Sequence, residues 1–151
     1  MTAWQTRQHD WIGRLDSAVS EVFEMMLERN CSPAEIAEAI APSISARILF
    51  SGAIHGECVL LASSAVAQVT AEALLGTPSD PDDPASADAI GELCNMIAGG
   101  WKSKLGSEEA RCTISPPTVS AHSEGLDPKT EVGFLRFYRF EDHVFGVQMN
   151  F

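Results

Sequence analysis

Five residues in one stretch of the sequence recur at helical spacing: Asp88, Glu92, Asn95, Gly99 and Lys102. At about 100° per residue they fall on one narrow stripe of a helix, while Ile90, Leu93, Cys94, Ile97 and Trp101 fall on the opposite side. Such a helix docks by its apolar side and presents acid, acid, amide, glycine and lysine to solvent. A carboxylate can pair with a cation, and an amide both donates and accepts hydrogen bonds while staying uncharged. Gly99 costs the helix about 0.5–1 kcal/mol relative to Ala, and on an exposed face a missing side chain lets another protein surface come close. Periodicity alone also describes an ordinary solvated helix face.

The remaining reactive side chains carry weaker patterns. His9, His55, His122 and His143 are scattered, with no nucleophile beside them and no HExxH pair, so they read as surface or sheet-edge histidines. Cys31, Cys58, Cys94 and Cys112 are unevenly spaced, with no CxxC and no His at metal-ligand spacing, and read as reduced, buried small side chains. The aspartates of residues 77–84, TPSDPDDP, lack the spacing of a calcium loop. Trp4, Trp11 and Trp101 read as packing residues, and Lys102 and Lys104 suit the negative end of a helix dipole. No phosphate loop and no basic pocket speak for a small phosphorylated metabolite as substrate.

The elements that must position the stripe belong to a chain of 151 residues, a common size for one domain, expected to span 1–151. With 45% hydrophobic and 21% charged residues the chain reads as globular, and no apolar run approaches the roughly 20 residues of a membrane span. The N-terminal MTAWQTRQHDW carries no secretory signal pattern, so the cytoplasm is the expected compartment. A formal net charge of -11 is the wrong sign for nucleic-acid binding.

Apolar periodicity predicts a first helix over about 10–29, and Ser32, Pro33 and Glu35 predict a capped short helix to about Ile40. Residues 44–50 and 53–62 read as two antiparallel strands about a Ser51-Gly52 turn. A helix from Val66 to Leu75 follows, capped by Ser63 or Ser64 and closed by Gly76. The long helix should run over about 85–105 and close at Gly106. Strands near 110–114 and 118–122 flank Pro116-Pro117, and a hairpin of strands near 131–140 and 143–151 ends the chain. The order implies an α+β fold, an antiparallel sheet covered on one face by helices. Ser17, Glu21 and Glu24 on the first helix repeat the spacing of Asp88, Glu92 and Asn95, with a carboxylate in place of the amide.

The run DAIGELCNMIAGG, Asp88 to Gly100, resembles the signature of the CheC/CheX phosphatase family: Asp or Ser, three residues, Glu, two residues, Asn, on a helix. Residues 55–76, HGECVLLASSAVAQVTAEALLG, are similar to the family's strand, helix and terminal Leu-Leu-Gly, and AVSEVFEMML resembles the start of CheX proteins. Pro116 and Pro117 fall one or two residues short of the family's proline.

The resemblance implies a phosphatase that removes the aspartyl phosphate of a CheY-like response regulator. Asn95 would position the attacking water and Glu92 would pair with the regulator's active-site lysine. Asp88 would assist docking, with Gly99 and Lys102 on the same partner-facing stripe. The domain would need no cofactor of its own, the Mg2+ being supplied in the partner's active site. The resemblance and the strand-rich VFGVQMNF terminus lead to an expected homodimer formed partly by sheet-edge pairing. The rival of another class is a non-catalytic module of the same fold that binds a response regulator or flagellar switch protein.

Overall fold

The computed structural model describes residues 2–35, 43–80, 83–120 and 133–151. Helix α1, Ala3–Val22, begins earlier than apolar periodicity suggests, because Thr2 and Gln5 form a reciprocal capping box. The Thr2 hydroxyl accepts from the Gln5 N–H at 3.1 Å, and the Gln5 side chain accepts from the Thr2 N–H at 2.7 Å. A π-helical turn, Phe23–Leu27, extends α1, and Glu28 ends it in the left-handed conformation at φ 56°.

The expected short helix after it is a correction. Ser32–Ala34 is instead a strand, β1, paired with residues 137–139; residues 36–40 lie outside the described residues. The cap pattern is local, whereas a chain leaving α1 beside an open sheet edge gains backbone partners by pairing. Pro33 has no N–H to give, which an edge strand tolerates.

Strands β2, Ile44–Gly52, and β3, Gly56–Ala62, pair antiparallel with Phe50 opposite Gly56. The turn between them is therefore 53–55, not Ser51-Gly52. Ser51 and Gly52 pair instead with Thr113 and Cys112 of β4, Cys112–Ile114. A Cβ at Gly52 would stand 2.8 Å from the Arg111 carbonyl oxygen, so the glycine serves this close approach. Helix α2, Ser64–Leu75, has the expected caps, Ser63 accepting from the Val66 N–H and Gly76 left-handed at φ 72°. Helix α3, Pro84–Ser103, starts at Asp83, whose carboxylate accepts from the Ala85 N–H at 3.0 Å, with Pro84 in the first turn.

Strands β5, Thr118–Ser120, β6, Gly133–Phe140, and β7, His143–Asn150, complete the sheet. Its order is β1-β6-β7-β3-β2-β4, with β5 pairing β2 beyond the proline break. The position of β7 corrects a premise of the expected dimer. The C-terminal strand pairs with β6 and β3, so it offers no free edge. Residues 121–122 and 131–132 of the expected strands lie outside the described residues.

One sheet face, with Ala46, Ile48, Phe50, Cys58, Leu60, Ala62, Phe145, Val147 and Met149, forms a common core with the apolar stripes of the helices. Trp101 is fully buried there, its indole N–H donating to the Trp11 carbonyl at 3.1 Å, with the two rings edge to face at 5.5 Å. The architecture is α+β, an antiparallel sheet covered on one face by helices, three of them α-helices among the described residues.

Candidate functional site

Helix α3 is seated on several sides. Ile90, Leu93, Cys94, Ile97 and Trp101 are fully buried against the sheet and α1. At Gly91 a Cβ would stand 2.9 Å from Val119 Cγ2 and 3.6 Å from Pro117, so α3 lies directly on the segment after the proline pair. At its C-terminal end the Lys104 ammonium pairs with Glu21 of α1 at 2.8 Å, and the Arg14 guanidinium donates to the Lys104 carbonyl. The Cys94 thiol, one residue before Asn95, lies 3.7 Å from the Ala46 carbonyl and 3.8 Å from that of Cys58. Hydrogen bonding to Cys94 and burial together push the Cys58 thiol pKa well up, so both sulfurs belong to the core.

The stripe itself faces outward as its spacing requires. Asp88 and Glu92 are exposed; Asn95, Gly99 and Lys102 are half-buried. None of the side chains of Asp88, Glu92, Asn95 and Lys102 is engaged in a hydrogen bond or ion pair with a described residue, and the Asn95 amide reaches solvent. A Cβ at Gly99 would meet nothing within 4 Å. Asp88, Glu92 and Asn95, two acids and a neutral amide, are thus held on a rigid helix with their full hydrogen-bonding capacity unspent. Residues three apart on a helix are surface neighbours, so the Asn95 amide and the Glu92 carboxylate can act on one incoming group.

The matching stripe of α1 is in a different state. Ser17, Glu21 and Glu24 are all exposed, but Glu21 is held by Lys104 and Glu24 lies in the π-helical turn. The other reactive side chains are dispersed. His9 and His55 are exposed, the His143 ring lies 5.3 Å from that of Phe140, and His122 is outside the described residues. The four cysteines are buried free thiols. No group of three potential metal ligands occurs among the described residues.

A feature missed in the sequence borders the stripe. A groove of about 280 Å³ lies between α2 and α3, lined by Leu74, Leu75, Ala85, Asp88, Ala89 and Glu92. Leu75 is 59% exposed. The available signal was the pair of adjacent leucines before the Gly76 cap, since neighbouring helix positions point about 100° apart and at a helix end one of them can turn away from the core.

Residues 44–137 match the model of a family described as chemotaxis phosphatase CheX. Among solved structures the fold is similar to that of chemotaxis protein CheX from Vibrio vulnificus, with a TM-score of 0.79 and 17% identity over 93% of this chain and 95% of that one. It is similar to the CheX-CheY-BeF3-Mg2+ complex from Borrelia burgdorferi, with a TM-score of 0.68 and 20% identity over 93% of this chain and 97% of that one. Thermotoga maritima FliY gives a TM-score of 0.65 at 16% identity over 98% of this chain and 90% of that one. At these identities the likeness is one of fold. No curated protein sequence matches significantly.

Proposed function

The chain belongs to the CheX family of chemotaxis phosphatases, and we propose that it hydrolyses the aspartyl phosphate of a CheY-like response regulator. The observation that carries this reading is the pair Glu92 and Asn95, one turn apart on the exposed face of a firmly seated helix and without internal partners.

The transferred phosphoryl group carries its charge on three equatorial oxygens, and the reaction needs charge stabilisation and an in-line nucleophile. The regulator supplies the first from its own site, which holds the Mg2+, so the phosphatase needs no cofactor of its own. This chain supplies the second. The Asn95 amide orients a water, accepting from one of its protons, and as a neutral group it is not repelled by the phosphate as a carboxylate would be. Glu92 pairs with the lysine of the regulator's active site and fixes the angle at which α3 enters. Asp88 and Lys102 contact the regulator on either side, and Gly99 admits its surface.

The same reading includes one domain over 1–151, work in the cytoplasm, where response regulators operate, and a homodimer. No helix of the described residues is long and apolar enough to cross a membrane. The rival reading is a non-catalytic module of the same fold that binds a response regulator or flagellar switch protein. A regulator phosphorylated with a small phosphodonor separates the two. The phosphatase accelerates loss of its phosphate at substoichiometric amounts, whereas a binding module leaves that rate unchanged or slows it.

A further inference from the structure

The groove between α2 and α3 joins two kinds of surface. Its lining is apolar at Leu74, Leu75, Ala85 and Ala89, and acidic at Asp88 and Glu92, one turn apart. Neither carboxylate is paired with a described residue. The groove also lies at the C-terminal end of α2, where the unsatisfied carbonyls of the last turn add partial negative charge and no basic residue offsets them.

That combination selects its occupant. A purely apolar side chain would strip water from Asp88 and Glu92 without replacing their hydrogen bonds. An acidic one would be repelled. A lysine or arginine fits both halves, because its aliphatic stem lies along apolar surface while its charged head donates to carboxylates.

We infer that the groove seats a lysine or arginine from the surface of the regulator that presents the aspartyl phosphate, its stem against Leu75 and Ala89 and its cation at Asp88. The inference rests on the phosphatase reading and deepens it. The residue seated here is a second basic group, distinct from the lysine of the regulator's active site that pairs with Glu92. It lies a turn further toward the start of α3, away from Asn95, and its presence or absence on a regulator decides which regulators are bound.

The test is binding of beryllofluoride- and Mg2+-loaded CheY-type regulators from the same genome, by titration calorimetry, with circular dichroism confirming the fold of each variant. Leu75→Ser and Asp88→Asn should each raise Kd about tenfold, and Asp88→Lys should raise it further. Reversing one surface lysine or arginine of the regulator to glutamate should weaken binding to the parent and restore it to Asp88→Lys. If a regulator binds the parent and folded Leu75→Ser and Asp88→Asn bind it with unchanged Kd, the groove is not the recognition site, whatever the phosphatase activity. If the parent binds but does not hydrolyse while both variants weaken binding, the groove stands and the phosphatase reading falls. If no regulator binds the parent, both fall.

Discussion

Asn95 and Glu92 differ from Glu21 and Glu24 in what surrounds them more than in spacing. Glu21 is held by Lys104, and Glu24 would set a carboxylate where a neutral amide is needed to face a phosphate. The double variant Glu21→Ala, Glu24→Ala should therefore keep phosphatase turnover within a few-fold of the parent. It should lose at most about 1 kcal/mol of stability, since exposed ion pairs contribute roughly 0–1 kcal/mol. A large loss of turnover in the folded variant would mean that α1 carries a second site. The outward stripe was legible in the sequence because helical phase is local: once Leu93, Ile97 and Trp101 face the core, Asp88, Glu92 and Asn95 must face away. Leu74 and Leu75 were not legible as part of the same surface, because their proximity to Asp88 depends on how α2 and α3 pack.

Among the elements, α3 determines the site, and Gly99 gives the sharpest test of what its face is for. The position is open, with no atom of a described residue outside its own stretch of helix within 4 Å of where an added methyl would sit. Gly99→Ala should thus stabilise the fold by about 0.5–1 kcal/mol through helix propensity alone. If the face receives a regulator, the same methyl should lower regulator affinity several-fold. A rise in the urea midpoint with unchanged affinity would show that no surface approaches there. Elements fixed by local signals were legible: α2 between Ser63 and Gly76, and α3 from within a residue of the expected 85, though it ends at Ser103 rather than at Gly106. The hairpin strands β6 and β7 were legible too, but two segments whose state depends on pairing were not. Ser32–Ala34 carries helix-start chemistry but joins β6, and Ser51-Gly52 looks like a turn but pairs with β4. In both cases a partner distant in sequence outweighed the local preference.

At the scale of the whole molecule, buried thiols give the fold a pH dependence of definite sign. Burial pushes the Cys31 pKa from 9.0 to about 12, and Cys58 is also raised well above 9.0. In the unfolded chain both ionise near 9.0, whereas the native state keeps them protonated, so native protein binds more protons and stability falls as pH rises. The urea midpoint should hold up to about pH 8.5 and decline between roughly pH 9 and 12. Cys31→Ala should make that decline shallower; an identical slope would remove Cys31 from the account. A homodimer, as proposed, would need an interface other than the C-terminal strand, since β7 is interior and the outer strands among the described residues are short, with Pro33 in one and Pro116-Pro117 between the other two. Sedimentation at micromolar concentration should give twice the mass of one chain, and a single-chain mass throughout that range would exclude the dimer.

Catalysis on this reading is shared by two proteins, and this chain's part is to hold one water. Steady-state hydrolysis of a phosphorylated CheY-type regulator, measured at several regulator concentrations with the parent and with Asn95→Ala, tests that most directly. An interaction made chiefly in the transition state lowers turnover and leaves affinity largely intact. Asn95→Ala should lose roughly 10² to 10³ in turnover, about 2.7–4 kcal/mol, with little change in KM. A folded Asn95→Ala protein that turns over at the parental rate would make Asn95 an ordinary surface amide and leave the binding-module reading in place of the phosphatase.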